Sequence, residues 1–113
     1  MIKRVSLLTR KDGMTREQFT RHWLEIHAPL ARPVPGLTRY VQSHIVEERT
    51  RPDIPTTDVE IDGIAELWYD DREMMARAHA SPQAKALFDD GALFIGRIKT
   101  FTVEERQIVP PSA

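Results

Sequence analysis

The sequence predicts an α+β fold of ferredoxin-like βαββαβ order: a four-stranded antiparallel sheet with two helices on one face. Three observations lead there. Four short stretches alternate apolar and polar residues with the period of two that a strand imposes. Two longer stretches repeat apolar residues every three or four positions behind recognisable helix starts. The order of these stretches is strand, helix, strand, strand, helix, strand, which is the split βαβ arrangement.

Residues 2–9, IKRVSLLT, form the first strand, with Val5, Leu7 and Thr9 on one face and Arg4, Ser6 and Leu8 on the other. Lys11-Asp12-Gly13 turns the chain into the first helix. Thr15 and Gln18 have the spacing of a capping box, in which each side chain satisfies a free amide of the first turn. Phe19, Trp23, Ile26 and Leu30 make its apolar face. Pro29 disfavours helical geometry at Ala28, so the helix is expected to end near His27. Pro33, Pro35 and Gly36 turn into the second strand, residues 37–46, with Leu37, Val41 and Ile45 on one face. Residues 47–61 are charged, contain Pro52 and Pro55, and read as a long loop of the kind that often carries function.

In the third strand, residues 62–69, Ile64, Glu66 and Trp68 oppose Gly63, Ala65, Leu67 and Tyr69. Asp70 or Asp71 caps the second helix, which carries Met74, Met75 and Ala78. Ser81-Pro82 restarts it, and Ala84, Leu87 and Phe88 continue its apolar face. Asp89-Asp90-Gly91 is expected to stop it, residues 92–96 to connect, and residues 97–104 to form the fourth strand. The domain is expected over residues 1–107, with residues 108–113 as a tail.

Two helices cover one face of such a sheet, yet the strands carry apolar residues on both. An open apolar face in water is unfavourable. The expected cover is a second copy of the chain, giving a homodimer whose two sheets enclose a barrel with a cavity, and with helix ends and loops at its mouth.

Composition narrows the function. With 113 residues, 41% of them apolar, one domain can bury a core. There is no cysteine, hence no disulfide framework, thiolate metal site or cysteine nucleophile. The 16 basic and 17 acidic residues give a net charge of −1, which offers no attraction for nucleic acid or a membrane surface. The opening MIKRVSLLTRKDG has too short an apolar run for a signal peptide, and no later stretch can span a bilayer, so a cytoplasmic location is expected. No phosphate loop, dinucleotide fingerprint or zinc spacing is present, and neither a cofactor nor a metal is expected. His22 and His27, five apart, stand about 140° apart around a regular helix and so on different faces.

His27 is the candidate proton-transfer group. At the last turn of a helix the dipole favours the imidazolium, while burial favours the neutral ring. A histidine balanced between these forces suits acid–base work near neutral pH. The alternative is a helix-capping histidine bonded to a terminal carbonyl. Glu66, mid-strand between Ile64 and Trp68, is costly there unless paired. It either orients a histidine or binds substrate, or else forms a buried ion pair. Tyr40 can donate to a developing oxyanion, or serve as an ordinary aromatic with a satisfied hydroxyl. Leu67, Trp68 and Phe94 complete the set as candidate substrate-binding residues.

The runs LLTRKDGMTREQFTRHWLEIHAPLA, PGLTRY, DGIAELWYDD and SPQAKALFDD to IKTFTVEE resemble the EthD family over nearly the whole chain. That family is named for a protein of the ethyl tert-butyl ether degradation operon, and the element from Trp23 to His27 is the most specific part of the match. The resemblance implies a dimeric α+β barrel. Within the family the sequence is similar to methylmuconolactone methylisomerase-like proteins of aromatic catabolism. This similarity implies an active-site histidine at His27 and a pocket tyrosine at Tyr40, with Glu66 and Trp68 matching in the third strand. The cysteine of that group's pocket falls on Leu67, and its loop histidine near Asp53. Two functions follow as expectations. One is a cofactor-independent enzyme of aromatic or xenobiotic catabolism, moving a proton on a small, lactone-like molecule in isomerase or lyase fashion. The other is a non-catalytic protein that binds or carries such a molecule.

Overall fold

The computed structural model describes residues 1–112. Strand β1 (Ile2–Arg10) lies at the centre of a four-stranded sheet with β3 (Gly63–Tyr69) on one side and β4 (Ile95–Val103) on the other. Strand β2 (Arg39–His44) pairs outside β3, so the order is β2-β3-β1-β4, and every pairing is antiparallel. The helical segments are α1 (Arg16–Arg21), α2 (Ala28–Ala31), α3 (Arg72–His79) and α4 (Pro82–Phe94). A π-helical stretch, His22–His27, joins α1 to α2 without a break.

The helix starts are those the sequence encodes. Gln18 N–H donates to Thr15 Oγ1 at 3.1 Å, and Thr15 N–H to Gln18 Oε1 at 2.9 Å, closing the capping box of α1. Asp71 caps α3 and Ser81 caps α4, the latter with Pro82 at the first helical position.

Two helix ends differ from expectation. The first helix does not end near His27 but runs to Ala31. Pro29 lacks an N–H and its ring crowds the carbonyl four residues back. The turn ahead of it is widened, and the Ala28 N–H bonds the Trp23 carbonyl, five residues back. This rotates the buried face: Phe19, Trp23, His27 and Ala31 are buried, while Ile26 is 54% exposed. The last helix likewise passes through Asp89-Asp90-Gly91 to Phe94, and β4 begins at once with Ile95. Asp90 is buried and points inward, so its carboxylate is engaged by other side chains instead of competing for the helix backbone.

The register defines two sheet faces. Against the helices lie three cross-strand rows: Tyr40, Leu67, Arg4 and Thr102; then Gln42, Ala65, Ser6 and Thr100; then His44, Gly63, Leu8 and Ile98. The core forms here, with Phe19, Trp23, Leu87 and Phe94 from the helices and Leu8, Leu67 and Tyr69 from the strands. Trp23 lies flat enough on β3 that a Cβ at Gly63 would stand 2.4 Å from its ring, so the strand needs glycine there. The opposite face presents Lys3, Val5, Leu7, Arg39, Val41, Ile64, Glu66, Trp68, Lys99, Phe101 and Val103, with no helix over it.

Candidate active site

The widened turn places two imidazoles on one carboxylate. His27 Nδ1 lies 2.8 Å from Asp90 Oδ2, in a buried contact. His22 Nε2 lies 3.1 Å from both Asp90 oxygens. In a regular helix residues five apart diverge, but an i to i+5 hydrogen-bonded turn brings them back onto one face. The expectation that His22 and His27 face apart is therefore corrected by the helix geometry itself. Phe94 backs both rings, stacked on His22 with centroids 4.6 Å apart and edge-on to His27 at 5.0 Å.

Acceptance by the Asp90 carboxylate assigns a proton to His27 Nδ1 and leaves the Nε2 lone pair free. Nε2 has no hydrogen-bond partner, yet among the described residues no fully buried side-chain nitrogen or oxygen lacks one. Nε2 is thus accessible, and His27 lines a half-open cavity of about 450 Å³ whose outer rim, at Phe88, Ala92, Ile98 and Thr100, is exposed. Volumes of roughly 300–1,000 Å³ are usual for small-molecule sites. Burial pushes the His27 imidazole below the ordinary value of 6.5, against the pull of Asp90 in the other direction and with the help of His22. At neutral pH the ring is neutral and poised to accept a proton.

The cavity lies between the helices and the sheet of a single chain. Its apolar wall includes Leu8, Trp23, Ala65, Leu67, Leu87 and Ile95, and Tyr40, Ser6, Thr100 and Arg4 bring polar atoms. Tyr40 Oη accepts from Gln42 Nε2 at 2.9 Å, which leaves its own proton free to donate. Burial raises the Tyr40 hydroxyl above its ordinary pKa, so it stays protonated. Gly91 also lines the cavity, and a Cβ there would stand 3.8 Å from His27 Cε1. A larger groove of about 710 Å³ follows the edge strand β2, but neither His22 nor His27 lines it.

Of the six residues singled out in the sequence, the structure gathers His27, Tyr40 and Leu67 around the cavity. Phe94 is fully buried behind the imidazoles instead of at the cavity wall. Glu66 and Trp68 are not at this site. Strand alternation sends them to the open face, where Lys3 Nζ lies 2.6 Å from Glu66 Oε2 and Arg39 lies over the Trp68 ring. The His27 imidazole enters the helix-covered face of its own chain, not the space between two sheets, because it follows Trp23 on the buried side of its helix. Sequence reasoning missed Asp90 and His22. The signals present were the apolar Ala92-Leu93-Phe94 continuing past Asp90, and a proline seven residues after His22 inside an otherwise helical pattern.

The EthD domain pattern matches residues 11–98, most of the chain. This chain belongs to the EthD family. A 4-carboxymethyl-4-methylbutenolide mutase from Pseudomonas reinekei is 33% identical over 106 residues, covering 93% of this chain and 98% of the mutase. An EthD family protein from Bacillus halodurans has 27% identity and a TM-score of 0.75, over 94% of this chain and 99% of its own. At lower identity the likeness is one of fold. SnoaB, a cofactor-independent oxygenase from Streptomyces nogalater, matches at 21% identity and a TM-score of 0.58 over 97% of each chain. The α+β, ferredoxin-like architecture read from the sequence is that of these EthD and related structures. No helix among the described residues is long and apolar enough to cross a membrane.

Proposed function

We propose that this EthD protein is a cofactor-independent isomerase-type enzyme that moves a proton on a small lactone-like molecule held in the 450 Å³ cavity. The observation that carries this reading is the buried His27–Asp90 contact, with the free Nε2 of His27 opening into that cavity. The 33% identity to a butenolide mutase supports a lactone as substrate class.

In this mechanism the neutral His27 takes a proton from a saturated carbon conjugated with the lactone carbonyl, directly or through the ring double bond. The electron pair of the broken C–H bond spreads onto the carbonyl oxygen, and the Tyr40 hydroxyl donates to that oxygen. The imidazolium then returns the same proton at a different carbon, so composition and oxidation state are unchanged. Asp90 holds the ring in the required tautomer and stabilises its charged form, one of the roles the sequence left open for Glu66. Trp23 and the aliphatic wall exclude water, which strengthens each of these contacts.

The functional unit in this proposal is a homodimer. Val5, Leu7, Val41, Ile64 and Phe101 make the open sheet face apolar, and Phe101 is 42% exposed in the single chain. The same face of a second copy is the cover that fits it.

The deciding experiment supplies a carboxymethyl-substituted butenolide and follows its isomerisation by NMR. Positioned proton transfer contributes roughly 10²–10⁴-fold, so His27→Ala in folded protein is expected to lose that much of kcat. Unchanged turnover in His27→Ala refutes the assignment, and tight binding without turnover in the parent protein favours the carrier function instead.

A further inference from the structure

Arg4 is the only lysine or arginine among the residues that line the cavity. Among the described residues, no carboxylate lies within ion-pair distance of its guanidinium. Glu66 and Glu105 go to Lys3, Asp62 to Arg10 and Arg16, and Asp90 to the two imidazoles. Arg4 is held by neutral groups instead. Its Nη1 donates to the His79 ring, 3.0 Å from Nδ1, and its Cζ lies 5.5 Å from the centre of the Phe88 ring. The other His79 nitrogen is fixed by the Tyr69 hydroxyl at 2.9 Å, and the His79 ring stands edge-on to Phe88 at 5.4 Å. His79 is kept neutral by burial and by the adjacent charge of Arg4, so it orients the guanidinium without cancelling its charge.

A cation on a mainly apolar wall is unfavourable without a counter-charge. Here its orientation is fixed, it has no counter-ion among the described residues, and it lines the same cavity as His27 and Tyr40. We propose that Arg4 forms the anion-binding end of this cavity and takes the carboxylate of a small organic acid whose opposite end meets His27 and Tyr40. The planar guanidinium fork matches a carboxylate in a way that a lysine would not. Tyr40 and Arg4 share one cross-strand row, separated by Leu67, so their Cα atoms stand about two strand spacings, roughly 10 Å, apart. A ring with a short acid arm can be held at both ends by that row. The inference rests on the cavity being the substrate site, and it adds which residue holds the acid arm.

The test compares the carboxymethyl-substituted butenolide with its methyl ester by calorimetric titration. Hydrogen bonds to charged groups support a preference of roughly 10- to 100-fold for the acid in the parent protein. Arg4→Gln is expected to erase that preference by weakening the acid alone, and Arg4→Lys to restore part of it. Equal binding of acid and ester to the parent protein overturns the proposal. So does equal weakening of both by Arg4→Gln, which marks a structural role, and so does binding of neither. Should Arg4→Gln fail to fold, the parent protein decides, since added salt is then expected to weaken the acid and leave the ester unchanged. The two readings fail separately: turnover that survives His27→Ala removes the mechanism and leaves the acid preference, while loss of the preference leaves the effect of His27→Ala intact.

Discussion

On the open face of the sheet, Lys3 lies 2.6 Å from Glu66 and 3.4 Å from Glu105, Arg39 and Lys3 lie over the Trp68 ring, and Trp68 Nε1 donates to Glu105. Every charge named there has a partner or an aromatic surface. On the helix-covered face, Asp90 is shared by two imidazoles, and among the described residues His27 Nε2 has no partner and Arg4 has no carboxylate. The two faces are built from the same strands and differ in what is left over. A self-satisfied network needs no ligand. A set of fixed polar groups with open valences around a cavity can receive one, and that difference is why the proposed chemistry is assigned to the covered face.

The sharpest way to break this contrast is Asp90→Asn. It keeps the shape but removes the charge that orients and stabilises the His27 ring, so kcat/KM is expected to fall by about 10². The pH profile gives a second readout. The base must be neutral, so turnover falls as pH drops through the His27 pKa, which already lies below 6.5. Asp90 raises that pKa, so its loss is expected to move the acid limb to still lower pH. An unmoved limb would place the proton transfer elsewhere.

Gly91→Ala is the next largest. The added methyl group fits at van der Waals distance from His27 Cε1 and Ile95 Cδ1. Helix propensity favours the alanine by up to about 1 kcal/mol. The cavity beside the imidazole narrows, however, and kcat/KM is expected to fall by about 10-fold, the scale of one methyl group in a fitted pocket. Thermal unfolding and turnover measured on one preparation separate the two effects.

Glu66→Gln should do least. Its ion pair with Lys3 lies across the sheet from the cavity, and partly exposed pairs contribute only about 0–1 kcal/mol. Turnover is expected within about 2-fold of the parent protein, while light scattering reports whether the proposed homodimer forms in parent and variant. A large loss of turnover with assembly intact would mean that the covered face is not the whole site.

Much of the architecture is legible in the letters because it rests on local physics. Thr15 with Gln18, Asp71, and Ser81 with Pro82 are caps made within three residues, and alternation assigns Glu66 and Leu67 to opposite faces before any contact is known. Even so, alternation alone did not say which face His27 would enter. Helix ends were harder: Asp90 looks like a stop signal until its carboxylate is occupied by partners from elsewhere in the chain.

The sequence by itself determined the strands, the helix starts and the order of elements. Only the tertiary structure decided which groups surround that imidazole. His22 and His27 meet Asp90 across 68 and 63 residues of chain, and Arg4 meets His79 across 75. Such pairings follow from how a widened helical turn packs between a sheet and a distant helix, and no local period or cap encodes that packing.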